Sequence, residues 1–276
     1  MRRAILFAAV LAGALAAVPA DPGTSAATAS AAPPDLAAVQ MLAPEGGPEI
    51  PFAEDKRRAA VRLAALGFGS RAGLARRSWE IAGLLDRHAA RLTAIYRFGD
   101  LMLREGGFEL LPPVVAETRR AFQLERAGTR AARAERVLRI VEPARLVSAA
   151  PDWRDWLGRS WPEAVPPASV LFPRDREERG RWRRLIAEGW AEGRALAEDI
   201  FAADLDRLNR TFTGAVLWHR LRRAAMVTAP AIAVVETGVA GHERLVRIGE
   251  TAARIARPAR FELDAARWAP PAGALQ

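Results

Sequence analysis

The sequence predicts an α+β fold that is predominantly α-helical, with a small antiparallel β element toward the C-terminus. Three observations carry that expectation. From Trp182 through Ile186, Gly189, Gly193, Leu196 and Ile200 to Leu208, Phe212 and Ala215, apolar or small residues recur at helical spacing with charges between them. Shorter stretches between Glu54 and Arg104 repeat that spacing. Past Pro230 the texture changes. Ala231-Ile232-Ala233-Val234-Val235 and Leu245-Val246-Arg247-Ile248, separated by Gly238 and Gly241, read as short strands.

At the N-terminus, Arg2 and Arg3 precede the 15-residue apolar run Ala4 to Val18, and Val18-Pro19-Ala20 supplies small residues for cleavage. A bilayer span needs about 20 residues, so residues 1–20 read as a cleaved signal peptide and place the mature chain in the periplasm. Residues 21–51 are rich in Ala, Pro, Gly, Ser and Thr and read as a flexible leader, because they carry too little apolar surface to offset ordering. A single globular domain is expected over 52–270, followed by a tail at 271–276.

Within that domain, Ala60, Leu63, Ala64 and Leu66 mark a first helix from Glu54, and Gly67-Phe68-Gly69-Ser70 reads as its break. Ser70 then reads as the N-cap of a second helix carrying Leu74, Ser78, Ile81, Leu84 and Leu85. Leu92, Ile95, Tyr96, Leu101 and Leu103 extend its apolar face to Arg104, where Gly106-Gly107 stops it. Residues 116–122 and 130–147 read as further helix interrupted near Gly128, with Arg126, Arg130, Arg133 and Arg136 on one solvated face. Leu111-Pro112-Pro113-Val114 cannot be helix interior and reads as a rigid connector between helices.

Composition excludes several function classes. The chain has no cysteine, which removes disulfides, thiolate catalysis, Cys-based zinc sites and thiol lipidation. All but one of its 41 basic residues are arginine, Lys56 being the exception, and they are interleaved with acids. The formal charge of +9 therefore speaks to solubility and non-specific association, and no direct nucleic-acid binding is expected. His88, His219 and His242 are isolated and lack metal-ligand spacing. No Gly-x-Ser-x-Gly elbow or phosphate-cradling loop is present, and the carboxylates Asp199, Asp204 and Asp206 sit among arginines. Asn209-Arg210-Thr211 matches a glycosylation sequon and is read as coincidence. The expectation is a non-enzyme without cofactors.

Two clusters read as candidate contact sites. In Asp152-Trp153-Arg154-Asp155-Trp156-Leu157, followed by Trp161, three indoles and an arginine gather in one short segment, a composition favoured at interface hot spots and also suited to packing beneath a loop. In Gly189-Trp190-Ala191-Glu192-Gly193, two glycines four apart on one helical face let another backbone approach closely, within the domain or in a neighbouring subunit. The partner-contact candidates are Pro112, Pro113, Trp153, Arg154, Trp156, Trp161, Gly189, Trp190 and Gly193.

Taken in order, Leu111–Val114, Asp152–Leu157, Leu171-Phe172-Pro173 and Gly189–Gly193 resemble the DotC family of type IVB secretion systems, called TraI in some conjugative plasmids. Looser similarity extends through Arg210–Gly214 and Thr237–Gly241, over roughly Glu54 to Trp268. The family continues the glycine string with Gln-Ala where this chain has Leu196-Ala197. The resemblance implies a structural subunit of an outer-membrane-associated core complex, in a ring-shaped hetero-oligomer with DotD-like and DotH-like partners. Members of that family are commonly lipoproteins. Here Asp21-Pro22-Gly23 stands where the lipidated cysteine would lie, so membrane association is expected through partners. A periplasmic cell-wall hydrolase and a glycan- or lipid-binding module using the Trp153–Trp161 segment are the alternatives.

Overall fold

Two long helices and the strands inserted between them define the architecture. The computed structural model describes residues 32–42, 54–124, 131–161, 163–242 and 244–269. The expected signal peptide and tail, and most of the leader, lie outside these residues. The structure is 52% helical and 25% strand, with small antiparallel sheets, one of them near the C-terminus, so the expected class holds.

Helix α1 spans Leu36–Met41, α2 Glu54–Arg87 and α3 Ala89–Ile95. Strands β1 (Leu103–Glu105), β2 (Phe108–Leu111), β3 (Val114–Leu124), β4 (Ala131–Glu142) and β5 (Arg145–Val147) follow. A single turn, α4 (Arg154–Leu157), precedes the 48-residue α5 (Arg176–Arg223). Strands β6 (Ala231–His242) and β7 (Leu245–Arg257) complete the order. All sheets are antiparallel: β1-β2-β5, and the two-stranded hairpins β3-β4 and β6-β7.

Helix α5, about 70 Å long at 1.5 Å per residue, acts as the spine. Its Asp175 N-cap accepts from the Glu178 amide at 2.8 Å, and Glu177 and Glu178 complement the helix dipole. Its first half packs against α2 so closely that side chains are excluded at four positions. A Cβ on Gly69 or Gly73 would be driven into the carbonyls of Ile186 or Trp190. One on Gly189 or Gly193 would be driven into those of Leu66 or Ser70. Residue numbers rise together on both helices, so α2 and α5 run parallel. Around this seam Phe68, Ala65, Trp182 and Ile186 form a buried core with Val39 and Phe172.

Further along α5, Leu208 joins Phe98, Leu111, Trp153, Trp156 and Leu157 in a second cluster. Near its end, Trp218 and Leu221 meet Val115 of β3 and Val227 in a third. The helix closes on Ala225 at φ 54, with Met226 N donating to Leu221 O and Ala225 N to Arg222 O. The chain later returns beside this end: Val227 bridges Phe261, and Ala269 N donates to Ala224 O.

Several expectations are corrected. Gly67–Ser70 does not break a helix; α2 is continuous, and Ser70 lies against Gly193 instead of capping anything. The helix-interior cost of glycine, about 1 kcal/mol each, is offset at Gly69 by the backbone approach. Helix does not extend to Arg104. The chain leaves α3 at Ile95, and Gly106 and Gly107, at φ +57 and +81, turn β1 into β2. Residues 116–122 and 131–147 are not helix but the hairpin β3–β4 and the short β5. Their Ala, Arg and Glu favour helix locally, yet Val115, Leu138 and Ile140 are drawn onto the core as alternating strand positions. Arg133 and Arg136, three apart on a strand, consequently face opposite sides; Arg126 and Arg130 lie outside the described residues. The Pro112-Pro113 connector joins strands, not helices. Strands β6 and β7 are longer than expected, and Gly238 and Gly241 lie within β6. Part of the leader is ordered: α1 docks with Val39 fully buried, Gln40 Nε2 donating to Arg183 O (2.9 Å) and Arg76 Nη1 donating to Pro33 O (2.8 Å).

Ion pairs stiffen the α2–α5 contact. Buried Arg57 reaches Val170 O, Phe172 O and Glu178. Glu80 on α2 accepts from Arg194 on α5 at 3.1 Å and from Arg77 and Arg76 on its own helix. The Arg194 hydrogen bond, followed by those of Arg77 and Arg76, holds the Glu80 carboxyl below its ordinary value of 4.5 against the opposing effect of burial.

Gly193→Val is expected to cost about 3 kcal/mol or more in chemical denaturation, or to prevent soluble expression. Gly99→Ala, where nothing lies within 4 Å of the added methyl, is expected to cost under about 1 kcal/mol. For Glu80→Gln, a depressed folded-state pKa makes the carboxylate stabilising above the unfolded value and loses that contribution as pH falls through the folded one. The melting-temperature gap between wild type and variant is therefore expected at neutral pH and should close as pH falls below the ordinary value of 4.5 and through the lowered folded-state one.

Candidate functional site

The tryptophan segment is held by its own carboxylates. Asp152 N donates to Asp155 Oδ2 at 2.8 Å and Arg154 N to Asp152 Oδ1 at 2.9 Å, locking the single turn α4. This lock puts Trp153 and Trp156 on the core side. Trp153 Nε1 donates to Thr93 Oγ1 at 3.0 Å, and the Arg154 guanidinium lies 4.1 Å from the Trp153 ring centroid. Trp156 stacks on Phe98 with centroids 5.0 Å apart and planes 11° from parallel. Trp153 is 2% exposed and Trp156 9%. Neither indole offers a face to a sugar or a partner.

The next residues clamp the loop to the spine. Arg159 grips Asp204 of α5 through both Nε and Nη2, the latter at 2.9 Å from Oδ1, and Arg207 Nη2 donates to the same oxygen at 2.7 Å. Asp204 is buried, and its carboxylate raises the Arg159 pKa further above its ordinary value. Beside this pair a cavity of about 30 Å³, bounded by Leu157, Trp161, Ser78 and Phe201, has room for about one water. Asp206 lies two positions beyond Asp204, on the other side of the helix, and Asp199 and Asp206 are both exposed. These carboxylates do not converge on a common point.

The sequence-derived candidates divide sharply. Pro112, Pro113, Trp153, Trp156, Gly189, Trp190 and Gly193 are buried by the chain's own elements, which corrects their expected place at a partner surface. Trp161 is half-buried and Arg154 exposed. His219 Nε2 lies 2.8 Å from Leu101 O, and His88 and His242 sit on other elements. Among the described residues, no group of three or more His, Asp or Glu side chains is placed to hold a metal ion. Asn209 of α5 accepts on its side-chain oxygen from Tyr96 Oη, just past α3, at 2.6 Å.

The surface features that sequence reasoning missed are the β3–β4 hairpin and the exposed apolar face of β6–β7, which was expected only as short strands. On β6–β7, register puts Val235, Ile248 and Val246 on one face, and all are exposed, Ile248 to 83%. The other face meets the fold near its base, where Ile232 and Val234 lie against the Gly106 turn. On β3–β4, Phe122, Val137 and Val141 are exposed. Both hairpins leave their outer edges unpaired among the described residues. For β3–β4 the available signal was β-branched content, Val114, Val115 and Thr118 on one strand and Val137, Ile140 and Val141 on the other.

Trp156→Ala is expected to cost about 3 to 5 kcal/mol in chemical denaturation. Trp161→Ala, at a half-buried site, should cost about 1 to 2 kcal/mol.

Comparison with known proteins gives one family and no curated relative. No curated protein matches the chain. The family described as type IV secretory system, conjugal DNA-protein transfer (TraI) matches residues 55–270, which takes in everything from α2 through β7 and the returning C-terminal segment. A match over that span shows that the chain belongs to this type IV secretory system family of conjugal transfer.

Proposed function

We propose that this protein is a structural subunit of the outer-membrane-associated core complex of a type IVB secretion or conjugal transfer apparatus. It acts in the periplasm, without a reaction or cofactor of its own, and scaffolds DotD-like and DotH-like neighbours in a ring. The observation that carries the reading is the contrast between interior and surface in a chain of a conjugal-transfer family. The conspicuous polar groups, Asp204, Arg159, Glu80 and Arg57, are spent on ties between the chain's own elements. The surface instead presents two hairpins of 11 to 13 residues per strand with bare edges and outward apolar side chains. A two-stranded ribbon is at best marginally stable alone, and exposed edges and faces of this kind are joined by neighbouring chains in assemblies. No helix among the described residues is long and apolar enough to cross a membrane, which accords with attachment through partners.

The test is a gentle-detergent purification of tagged protein from its own host, with sizing and mass spectrometry. Recovery in a large particle with DotD-like and DotH-like chains is expected. Ile248→Asp with Val246→Asp should release the subunit from that particle while leaving its melting temperature within a few degrees of wild type. A lone monomer from wild-type cells would overturn the proposal.

A further inference from the structure

We propose that the cleft between the inner face of β3–β4, the last turns of α5 and the returning C-terminal segment binds an extended acidic peptide carrying a large apolar anchor. This inference goes beyond the scaffold reading and does not depend on it.

The cleft, of about 560 Å³, is within the size range of ligand sites. Its wall is set by register. Arg119 and Arg136 are direct cross-strand partners on the hairpin face that carries Val115 and Ile140 into the core beside Trp218. Like charges placed directly opposite destabilise a sheet. Glu117, on the same face, offsets that repulsion: its Oε1 accepts from Arg119 Nε at 3.0 Å and from Arg136 Nε at 2.9 Å. The Arg136 hydrogen bond, then that of Arg119, holds the Glu117 carboxyl below its ordinary value, so the tie persists in mild acid.

Both arginines bond Glu117 through Nε, and their terminal Nη groups bond no other side chain among the described residues. Arg220 of α5 adds a third cation to the lining, its guanidinium bonded to no other side chain among the described residues. Three guanidiniums thus face one carboxylate. The negative end of the α5 dipole, which would oppose an anion, is met by Arg220, Arg222 and Arg223.

The rest of the lining is apolar. Leu217, Leu221 and Met226 form it together with Trp268, which is 41% exposed and held by an Nε1 bond to Glu262 O at 2.9 Å. A small inorganic anion would leave that surface wet, and a purely apolar ligand would desolvate the guanidiniums without pairing them. Two guanidiniums gathered on one carboxylate oxygen suit two carboxylates on alternate residues of an extended chain, which lie about 7 Å apart. An intervening or flanking large side chain then covers the indole and leucines. That combination is an acidic, apolar-anchored peptide segment of a partner protein.

The probe is a fluorescein-labelled peptide of alternating glutamate and leucine, titrated into the full chain at about 150 mM salt and followed by anisotropy. Saturable binding is expected, weakened at least about tenfold by Arg119→Gln with Arg136→Gln, and weakened comparably when serine replaces leucine in the peptide. Arg97→Gln, at an exposed arginine outside the cleft, should change affinity less than about twofold. An unlabelled peptide should shift indole emission in wild type, and the shift should be absent in Trp268→Phe. Equal affinity for the serine peptide, or an Arg97→Gln effect as large as the double variant's, would show general attraction to a basic chain and overturn the proposal. So would an emission shift that persists in Trp268→Phe, or binding of phosphatidylglycerol vesicles with no binding of the peptide.

Discussion

The backbone contact between α2 and α5 is the constraint on which the rest of the structure depends. Four glycines, two on each helix, remove the side chains that would hold the helices apart, and each abuts a carbonyl or amide of the opposite helix. Contact at that range is intolerant of substitution, because the obstructing atoms are backbone and cannot rotate away. It also fixes rotation and register together. Arg57 is thereby aligned with Glu178, and Glu80 with Arg194, so the ion pairs follow from the seam instead of creating it.

With about its first half held by α2, the spine presents the rest of its length to other elements. Leu208 and the Asp204–Arg159 clamp receive the tryptophan turn, and Trp218 and Leu221 receive the base of β3. Gly214 repeats the logic of the seam on a smaller scale. A Cβ there would strike Val114, so its absence lets the strand that follows Pro112-Pro113 cross the helix closely. The interior thus consists of three successive cores threaded on one helix, with the hairpins extending from the later ones.

Much of this was legible in the sequence where a pattern had only one physical solution. The recurrence from Trp182 to Ala215 could be satisfied only by a long helix, and the β-branched runs after Pro230 only by strands. Close backbone approach at Gly189 and Gly193 was legible as well, though not whether the partner lay inside the chain. Reading failed where local preference and tertiary demand conflict. In 131–142, alanine, arginine and glutamate favour helix, and only the docking of Leu138 and Ile140 beside Trp218 selects a strand. At Gly67–Ser70 the glycines suggested a break, because the compensating contact lies on a helix more than a hundred residues away. The tryptophans read as core or as surface anchors, with packing the favoured reading; the Asp152–Asp155 lock decides between these by turning both indoles inward. The Arg119–Glu117–Arg136 arrangement was invisible, since it exists only once the hairpin is paired in register.

Parallel pairing of α2 with α5 has a consequence for how the chain acquires this form. Parallel neighbours cannot be joined by a tight turn, so every strand from β1 to β5 and the tryptophan turn are strung between the two halves of the seam. The residues that close it, Leu66 with Gly189 and Ser70 with Gly193, cannot meet until most of the polypeptide has been made. The conformational search is thus dominated by distant contacts, which slows folding. During that interval the apolar stripe of α2 has no cover. Interrupting synthesis anywhere before Gly193 would remove the surface that the first long helix was shaped to meet, and a single late-forming contact governs whether the early part of the chain becomes structured at all.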